Sequence, residues 1–264
     1  MKEIPSTPIA QGRTSEIYPW DDGHVLKLFR EWCPSDWVEY EERIADAIHG
    51  AGVPSPAPGE IIEVDGRRGL IYERLDGISM LQDLNARPWM LIKHARSLAE
   101  LQVQINQKSI AGLPSYKARL SNDISNTQHL SEMLRNKALT QLEMLPDGNS
   151  LCHGDYHPGN ILLTKRGPIV IDWMTASAGV RWADVARTDL LLSIGAKSAA
   201  KQLSPILRWA IGVYHRIYLS HYKALFPDTK AEKDRWMPVI AAARLKEEII
   251  PEREVLIEIV KNGT

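Results

Sequence analysis

Four polar residues in the middle of the chain have the types and spacing of a phosphoryl-transfer site. His153, Asp155 and Asn160 fit the pattern H-x-D-x-x-x-x-N, and Asp172 follows shortly after. An aspartate at this place can accept or orient the proton of an attacking hydroxyl, and Mg²⁺ prefers hard oxygen ligands. We therefore expect Asp155 to be catalytic and Asn160 and Asp172 to hold Mg²⁺. The alternative, a polar turn that only enters a hairpin, does not require Asp172 or the spacing of His153.

The elements that must position these residues are a hairpin and the helices around it. Residues 160–163 and 169–171 have β-like character and are joined across Lys165-Arg166-Gly167-Pro168, which predicts the hairpin. Helical patterns surround it, and no second strand pair is expected among them. The predicted helices cover residues 79–86, 89–107, 116–144, 183–194, 203–225, 231–247 and 252–261.

Residues 1–75 are instead dominated by short β-like segments. Residues 16–20 and 24–30 flank Asp22-Gly23, a pair that tolerates the positive φ of a tight hairpin. Residues 61–64 and 69–74 form a second predicted hairpin around Asp65-Gly66. Ser35 is expected to cap a helix that runs to about His49. The result is a small sheet with one helix, followed by a larger helical region.

HGDYHPGN followed by Ile-Asp-Trp resembles the aminoglycoside phosphotransferase family, which is similar to the choline kinases and shares the two-lobed protein-kinase-like fold. The order of the predicted elements agrees with that of the family over nearly the whole chain, but only about 40 central residues carry motifs specific to the family. The resemblance implies an α+β fold with a nucleotide-binding lobe over residues 1–75 and a helical catalytic lobe over residues 76–264. It implies the same roles for Asp155, Asn160 and Asp172. Asp184 resembles a family aspartate that supports the catalytic loop, and we expect it to be structural.

A kinase-like first lobe also needs a strand lysine that holds the nucleotide phosphates and a helix carboxylate that positions this lysine. Lys27, in HVLKLF, fits the first role and shares a strand face with Val25 and Phe29. Glu41 is the best candidate for the second role by its distance from the Gly-Val-Pro-x-Pro turn. Glu42 remains possible.

The remaining nucleotide contacts have a weaker signature. The segment IAQGRTSEIY has a single glycine, Gly12, whose turn could present backbone amides to phosphate, with a hydroxyl from Ser15 or Thr14. LIYERLDG resembles the hinge of the fold, where Glu73 and Leu75 would bind adenine through their backbone. After Asp172 the chain lacks both the Phe-Gly pair and the Ala-Pro-Glu motif, so we expect no phosphorylation switch.

The composition argues against nucleic acids and membranes as partners. The 32 basic and 33 acidic residues give a net charge of -1, without the basic excess that nucleic acids or anionic membranes require. The apolar stretch 203–225 is interrupted by charges and predicts a buried helix rather than a membrane span. The apolar residues near helical spacing, expected to be buried, are Ile206, Trp209, Ala210, Val213, Ile217 and Leu225. The N-terminal residues show no signal-peptide pattern, and two cysteines make no disulfide framework. We expect a cytoplasmic protein whose oligomeric state the sequence leaves open.

Three functions agree with these features. The first is ATP- and Mg²⁺-dependent phosphorylation of an aminoglycoside or a similar antibiotic hydroxyl. The second is a metabolic kinase that acts on choline, a sugar or an amino-alcohol. The third is a catalytically idle nucleotide-binding module, which intact Lys27, Asp155, Asn160 and Asp172 argue against. Acidic helix residues, among them Asp189, Glu247 and Glu252, could meet the amino groups of a cationic acceptor, although solvated faces are the commoner use of such residues.

Overall fold

The computed structural model describes residues 7–198, 204–227 and 232–263. The chain divides by its internal contacts into two compact units. Unit 1 comprises residues 1–80 and 159–174, and unit 2 comprises residues 81–158 and 175–264. The hairpin that carries Asp172 thus belongs to unit 1, although its place in the sequence is between helices of unit 2.

Unit 1 is built on a five-stranded antiparallel sheet in the order β1-β2-β3-β5-β4, with the helix α1 against β4 and β5. A cluster of Tyr18, Leu26, Leu28 and Ile71 forms the buried core of this sheet. A second sheet, in the order β6-β8-β9, contains the central hairpin. The elements are β1 Ala10–Gln11, β2 Ser15–Asp21, β3 His24–Phe29, α1 Trp37–Gly50, β4 Pro58–Val64, β5 Arg67–Glu73, β6 Gly77–Ser79, β8 Ile161–Thr164 and β9 Gly167–Val170.

Unit 2 is mainly helical in its described part. Helix α3 packs against α7, and α6 packs against both α7 and α8. The helices are α2 Met80–Ala86, which begins at the last residue of unit 1, α3 Leu91–Asn106, α4 Tyr116–Asn126, α5 Glu132–Met144, α6 Arg181–Ser198, α7 Pro205–Leu225, α8 Glu232–Arg244 and α9 Arg253–Gly263. A short strand pair, β7 Ser150–Cys152 with β10 Ser177–Gly179, accompanies them.

Both predicted N-terminal hairpins and the central hairpin are confirmed, with two local corrections. The positive φ values occur at Asp65 (53°) and Gly66 (75°), and not at Asp22-Gly23, where the Asp21 carboxylate accepts the Gly23 N–H at 2.9 Å. Helix α1 has Asp36 at its N-cap position instead of Ser35.

The helical region needed two corrections. The predicted helix 116–144 is two helices, because the Ser131 hydroxyl accepts the Leu134 N–H and starts α5 anew. Strands β6, β7 and β10 were not expected, since three residues are too few to show a period. In the predicted helices 203–225 and 231–247, residues 203 and 231 lie outside the described residues, as do 1–6 of the N-terminal segment.

The buried face of α7 differs from the one that the apolar pattern indicated. Tyr214, Tyr218 and Tyr222 are buried, whereas Trp209 is 65% exposed and Ile206 is 78% exposed. Tyrosines repeat every four residues here and bury their rings while their hydroxyls reach polar partners. None of the helices in the described ranges is long and apolar enough to cross a membrane.

Candidate active site

The first group of candidate residues surrounds a buried lysine in unit 1. Lys27 lies on β3, where strand alternation directs its side chain to the face that α1 contributes to. Its Nζ is 2.7 Å from Oε1 of Glu41, and the two residues are 9% and 3% exposed. The pairing of Lys27 is therefore with Glu41. An unpaired buried charge is costly, so each member of this pair holds the other in place.

A tyrosine that the sequence analysis overlooked completes this contact. The Tyr72 hydroxyl donates to the same oxygen of Glu41 at 2.8 Å. In the β3–β5 register Tyr72 is opposite Val25, and Val25 shares the face of Lys27, so β5 alternation could have indicated it. Burial, followed by the charge of Glu41, raises the pKa of Tyr72 well above its usual value. The phenol therefore remains a hydrogen-bond donor to the carboxylate.

The two expected metal ligands also belong to unit 1. Oδ1 of Asp172 is 3.4 Å from Lys27 Nζ, and half of the Asp172 side chain (51%) is exposed. Asp172 has a left-handed backbone, φ 63°, which aspartate tolerates better than most residues. Asn160 ends a 3-10 turn, and its carbonyl accepts the N–H of Ile171 at 3.0 Å. This backbone bond links the Asn160 position to the residue that precedes Asp172.

The chemistry of these two donors fits Mg²⁺. In the described part of the chain no group of three or more His, Cys, Asp or Glu could form a metal cage on its own. Mg²⁺ is usually held by only one or two carboxylates and takes its remaining ligands from water and substrate phosphates. One carboxylate and one amide, Asp172 and Asn160, match that requirement.

Lys27 keeps its positive charge in this environment. Burial by itself would lower its pKa, but the charges of Glu41 and Asp172 raise the pKa above the ordinary value. A permanently charged ammonium group beside Asp172 is suited to anionic phosphate oxygens.

The weaker nucleotide candidates lie at the ends of strands of the same unit. Gly12 precedes β2, and its N–H donates to the carbonyl of Ser15 at 2.8 Å, so this amide is used within its own turn. At the end of β5 the Glu73 N–H donates to Ala57, and the Glu73 carboxylate pairs with Arg166 at 2.8 Å. Leu75 follows β5 and is partly buried. Nucleotide-binding roles for Gly12, Ser15, Glu73 and Leu75 stay predictions.

The second group of candidates is the loop 153–157 in unit 2. Gly154 has φ 78°, and a Cβ there would lie 2.7 Å from the carbonyl oxygen of Thr175, so only glycine fits. The hydroxyl of Thr175 donates to the carbonyl of His153 at 2.6 Å. The N–H of Asp155 donates to the His153 ring at 3.2 Å. The loop that presents Asp155 is thus held on both sides.

Asp184, near the start of α6, supports the loop from a fully buried position. One carboxylate oxygen accepts the Gly154 N–H at 2.8 Å. The other accepts from the amides of Gln102 at 2.9 Å and Asn106 at 3.1 Å. The expected structural role of Asp184 agrees with these contacts, which fix the loop to α3 and α6.

Asp155 itself lies between two basic side chains that were not assigned to it from the sequence. Arg187 Nη2 is 3.4 Å from its Oδ1, and His157 Nε2 is 3.7 Å from its Oδ2. Burial would raise the pKa of Asp155, but the nearby His157 side chain and the Arg187 charge lower the pKa well below the usual value. The carboxylate is therefore ionised at neutral pH.

Several acidic helix residues considered for acceptor binding are already paired within unit 2. Asp189 contacts both His215 and Lys233. Glu247 and Glu252 both pair with Arg244. Five aromatic residues are buried, and packing in the core accounts for them. These are Trp173, Trp182, Tyr214, Tyr218 and Trp236.

The lysine–glutamate pair and the two oxygen donors of unit 1, and the loop aspartate of unit 2, are residue types that protein-kinase-like phosphotransferases use. A sequence profile of the Phosphotransferase enzyme family (APH) matches residues 7–219, and the chain belongs to this family. The expected family, α+β fold and enzyme class, a phosphotransferase of the small-molecule kinase type, are confirmed. No curated protein matches the chain in sequence.

Solved structures with the same fold have low sequence identity. The chain is similar to a thermostable mutant of aminoglycoside phosphotransferase APH(4)-Ia in ternary complex with ADP and hygromycin B, with TM-score 0.68 and 16% identity over 98% of this chain and 94% of that one. A type VIII aminoglycoside-3'-phosphotransferase has TM-score 0.64 and 17% identity, over 93% of this chain and 92% of that one. A choline/ethanolamine kinase family protein from Mesorhizobium loti has TM-score 0.54 and 15% identity, over 98% of this chain and 81% of that one.

Proposed function

We propose that the chain transfers the γ-phosphoryl group of ATP to a hydroxyl of a small molecule and that it requires Mg²⁺. The observation that carries this proposal is the buried Lys27–Glu41 pair with Asp172 beside it. Stability alone rarely explains a buried lysine that contacts two carboxylates of different elements. Burial of Lys27 and Glu41 removes both ions from water, which costs free energy. Use of ATP is supported by the ADP in the APH(4)-Ia complex, a structure of the same fold.

Each residue has a distinct role in this reaction. Lys27, held by Glu41, binds phosphate oxygens, and Asn160 and Asp172 hold Mg²⁺. The metal, when bound, neutralises charge that develops on the phosphates. Asp155 orients the acceptor hydroxyl and takes its proton as the hydroxyl oxygen bonds to the γ-phosphorus and the bond to ADP breaks. Backbone groups of Glu73 and Leu75 would hold adenine, and the turn of Gly12 and Ser15 would lie near the phosphates.

The first candidate for the acceptor is an aminoglycoside or a similar antibiotic. Hygromycin B in the ternary complex of APH(4)-Ia supports this class of acceptor for the fold. Such an enzyme would act where ATP is plentiful, which favours the cytoplasm, and it needs no nucleic-acid or membrane partner.

A metabolic acceptor such as choline, a sugar or an amino-alcohol is the second candidate. It is favoured by the pairing of Asp189, Glu247 and Glu252 with cations of the same unit. Carboxylates that are already neutralised attract a polycationic sugar less strongly. A less cationic acceptor would suit these helices better.

An ADP-release screen with Mg²⁺-ATP tests the proposal. The acceptors are aminoglycosides, macrolides, choline and neutral sugars, each compared with water alone. We expect one class to stimulate ADP release, and the Asp155→Asn variant to lose this stimulation. Binding of ATP without release by any acceptor would instead indicate an idle nucleotide-binding module.

A further inference from the structure

Arg187 contacts two consecutive residues of the catalytic loop. It lies on α6 one turn after Asp184 and is only 8% exposed. Its Nε donates to the carbonyl of Gly154 at 3.1 Å, and its Nη2 is 3.4 Å from Oδ1 of Asp155. The rigid plane of the guanidinium group therefore relates the loop backbone to the carboxylate of Asp155.

Arg187 is itself held by an acidic residue from the other end of the unit. Oε1 of Glu247 is 2.5 Å from Arg187 Nη2, and Oε2 of Glu247 accepts from Arg244 at 2.7 Å. Arg244 in turn makes two hydrogen bonds with Glu252, at 2.8 and 3.0 Å. Two arginines and three carboxylates thus alternate from Asp155 to Glu252. Alternation of sign lets these charges be buried together.

We propose that Arg187, clamped by Glu247, is a positioning residue that orients the Asp155 carboxylate for the acceptor hydroxyl. This inference rests on the proposed phosphotransferase function. Asp184 secures the loop backbone through the Gly154 N–H, whereas Arg187 binds the Gly154 carbonyl and also the Asp155 side chain. The distinct contribution of Arg187 is its contact with the Asp155 side chain, where an error of about 1 Å can cost about 100-fold in rate.

The charges around Asp155 agree with this role. Arg187 faces it from α6, His153 and His157 belong to its own loop, and Glu247 acts on it through Arg187. His157 and Arg187 together outweigh the burial that would otherwise raise the Asp155 pKa. An ionised, fixed carboxylate accepts a hydrogen bond from a hydroxyl at any neutral pH.

Kinetics of four variants test the proposal. Arg187→Met removes the contact with Asp155. Arg187→Lys retains the positive charge but lacks the planar guanidinium group, and Glu247→Gln weakens the ion pair that holds Arg187. Arg135→Met is the control, because the described Arg135 side chain donates to carbonyls of its own region, Thr127 at 2.8 Å and Leu130 at 3.4 Å. kcat and the KM for Mg²⁺-ATP are measured with the acceptor from the screen, or with water as acceptor where none stimulates release.

We expect Arg187→Met to lower kcat at least about tenfold with the KM for ATP within about twofold, as for an interaction made only in the transition state. Arg187→Lys should recover part of the rate, Glu247→Gln should lose less than Arg187→Met, and Arg135→Met should retain kcat. A kcat for Arg187→Met within twofold of wild type, or an equal loss in Arg135→Met, would overturn the inference. If Asp155→Asn keeps full turnover, the proposed function fails instead.

A second readout does not depend on turnover. The Asp155 carboxyl carbon is identified by NMR as the signal missing in Asp155→Asn, and its titration is followed in wild type and in the Arg187 variants. Without the guanidinium charge the midpoint should move to higher pH, and less so in Arg187→Lys. An unchanged midpoint in Arg187→Met would overturn the contact. If Arg187→Met does not fold, Arg187→Lys replaces it in the test. A wild-type Asp155 midpoint together with a wild-type kcat in Arg187→Lys would then overturn the inference.

Discussion

Lys27 on strand β3 and Glu41 on helix α1, 14 positions apart in sequence, form a buried ion pair with Nζ and Oε1 at 2.7 Å. The same carboxylate oxygen also accepts the hydroxyl of Tyr72. Glu41 thus has two donors from two strands of one sheet. This convergence explains how one helix carboxylate can hold a flexible lysine in a single orientation.

Loss of the Glu41 charge should weaken the use of ATP. A charge-assisted hydrogen bond contributes about 1.5–3 kcal/mol, so we expect Glu41→Gln to lower kcat/KM for Mg²⁺-ATP about tenfold or more. Glu42→Gln is the matched control on the same helix and should stay within about twofold of wild type, as expected of a change away from the site. Steady-state kinetics decide, and an equal effect of both changes would contradict the role of Glu41.

Asp155→Asn should separate catalysis from binding. The amide cannot take the proton of the acceptor hydroxyl, and general-base catalysis contributes roughly 100-fold or more, so kcat should fall by at least that factor. ATP affinity, measured by calorimetry, should remain within about twofold because the nucleotide contacts are assigned to other residues. Full turnover in this variant would show that Asp155 is not catalytic.

Changes at Asn160 and Asp172 should appear as a changed requirement for Mg²⁺. We expect Asn160→Ala and Asp172→Asn to raise the Mg²⁺ concentration for half-maximal ADP release about tenfold or more, since even indirect support of a metal is worth that factor. Nucleotide binding without Mg²⁺ is the control and should change little in Asn160→Ala. An unaltered Mg²⁺ dependence in both variants would place the metal elsewhere.

Asp184 should matter for stability. Its carboxylate accepts three hydrogen bonds from buried donors, and Asp184→Ala leaves one N–H of each donor without its acceptor. Each such donor costs about 1–3 kcal/mol, so the free energy of unfolding should fall by at least about 3 kcal/mol. Asp147→Asn, whose side chain is exposed, should change it by less than about 0.5 kcal/mol. Urea unfolding followed by circular dichroism compares the two, and similar values would argue against the support role.

Truncation of two aromatic residues of α7 should change stability to very different extents. Tyr218 is fully buried and its hydroxyl donates to Gln102, so Tyr218→Ala should lower the free energy of unfolding by about 3–5 kcal/mol. Trp209→Ala, on the exposed face, should change it by less than about 1 kcal/mol. A larger loss of stability for Trp209→Ala than for Tyr218→Ala would indicate that the apolar face of α7, and not the tyrosine face, is buried.

Local spacing was enough to predict much of the fold and to select the candidate residues of the site. The five-residue step from Asp155 to Asn160 and the hairpin that leads to Asp172 depend on neighbouring residues, and strand alternation placed Lys27 on β3. The face of α7 could not be predicted, because large tyrosines with polar ends and smaller apolar residues compete for burial on the same helix.

Only the tertiary structure decided which distant side chains meet. Tyr72 reaches Glu41 through β-sheet register, and Arg187 reaches Asp155 and Glu247 through the packing of α6 with the segment after α8. Such contacts join residues 31 to 60 positions apart. A sequence pattern records the type and period of residues, whereas these pairs depend on how the elements pack in three dimensions. The sequence motifs thus predict candidate phosphotransfer residues, whereas the side chains that contact these residues are identified only by the packing of the fold.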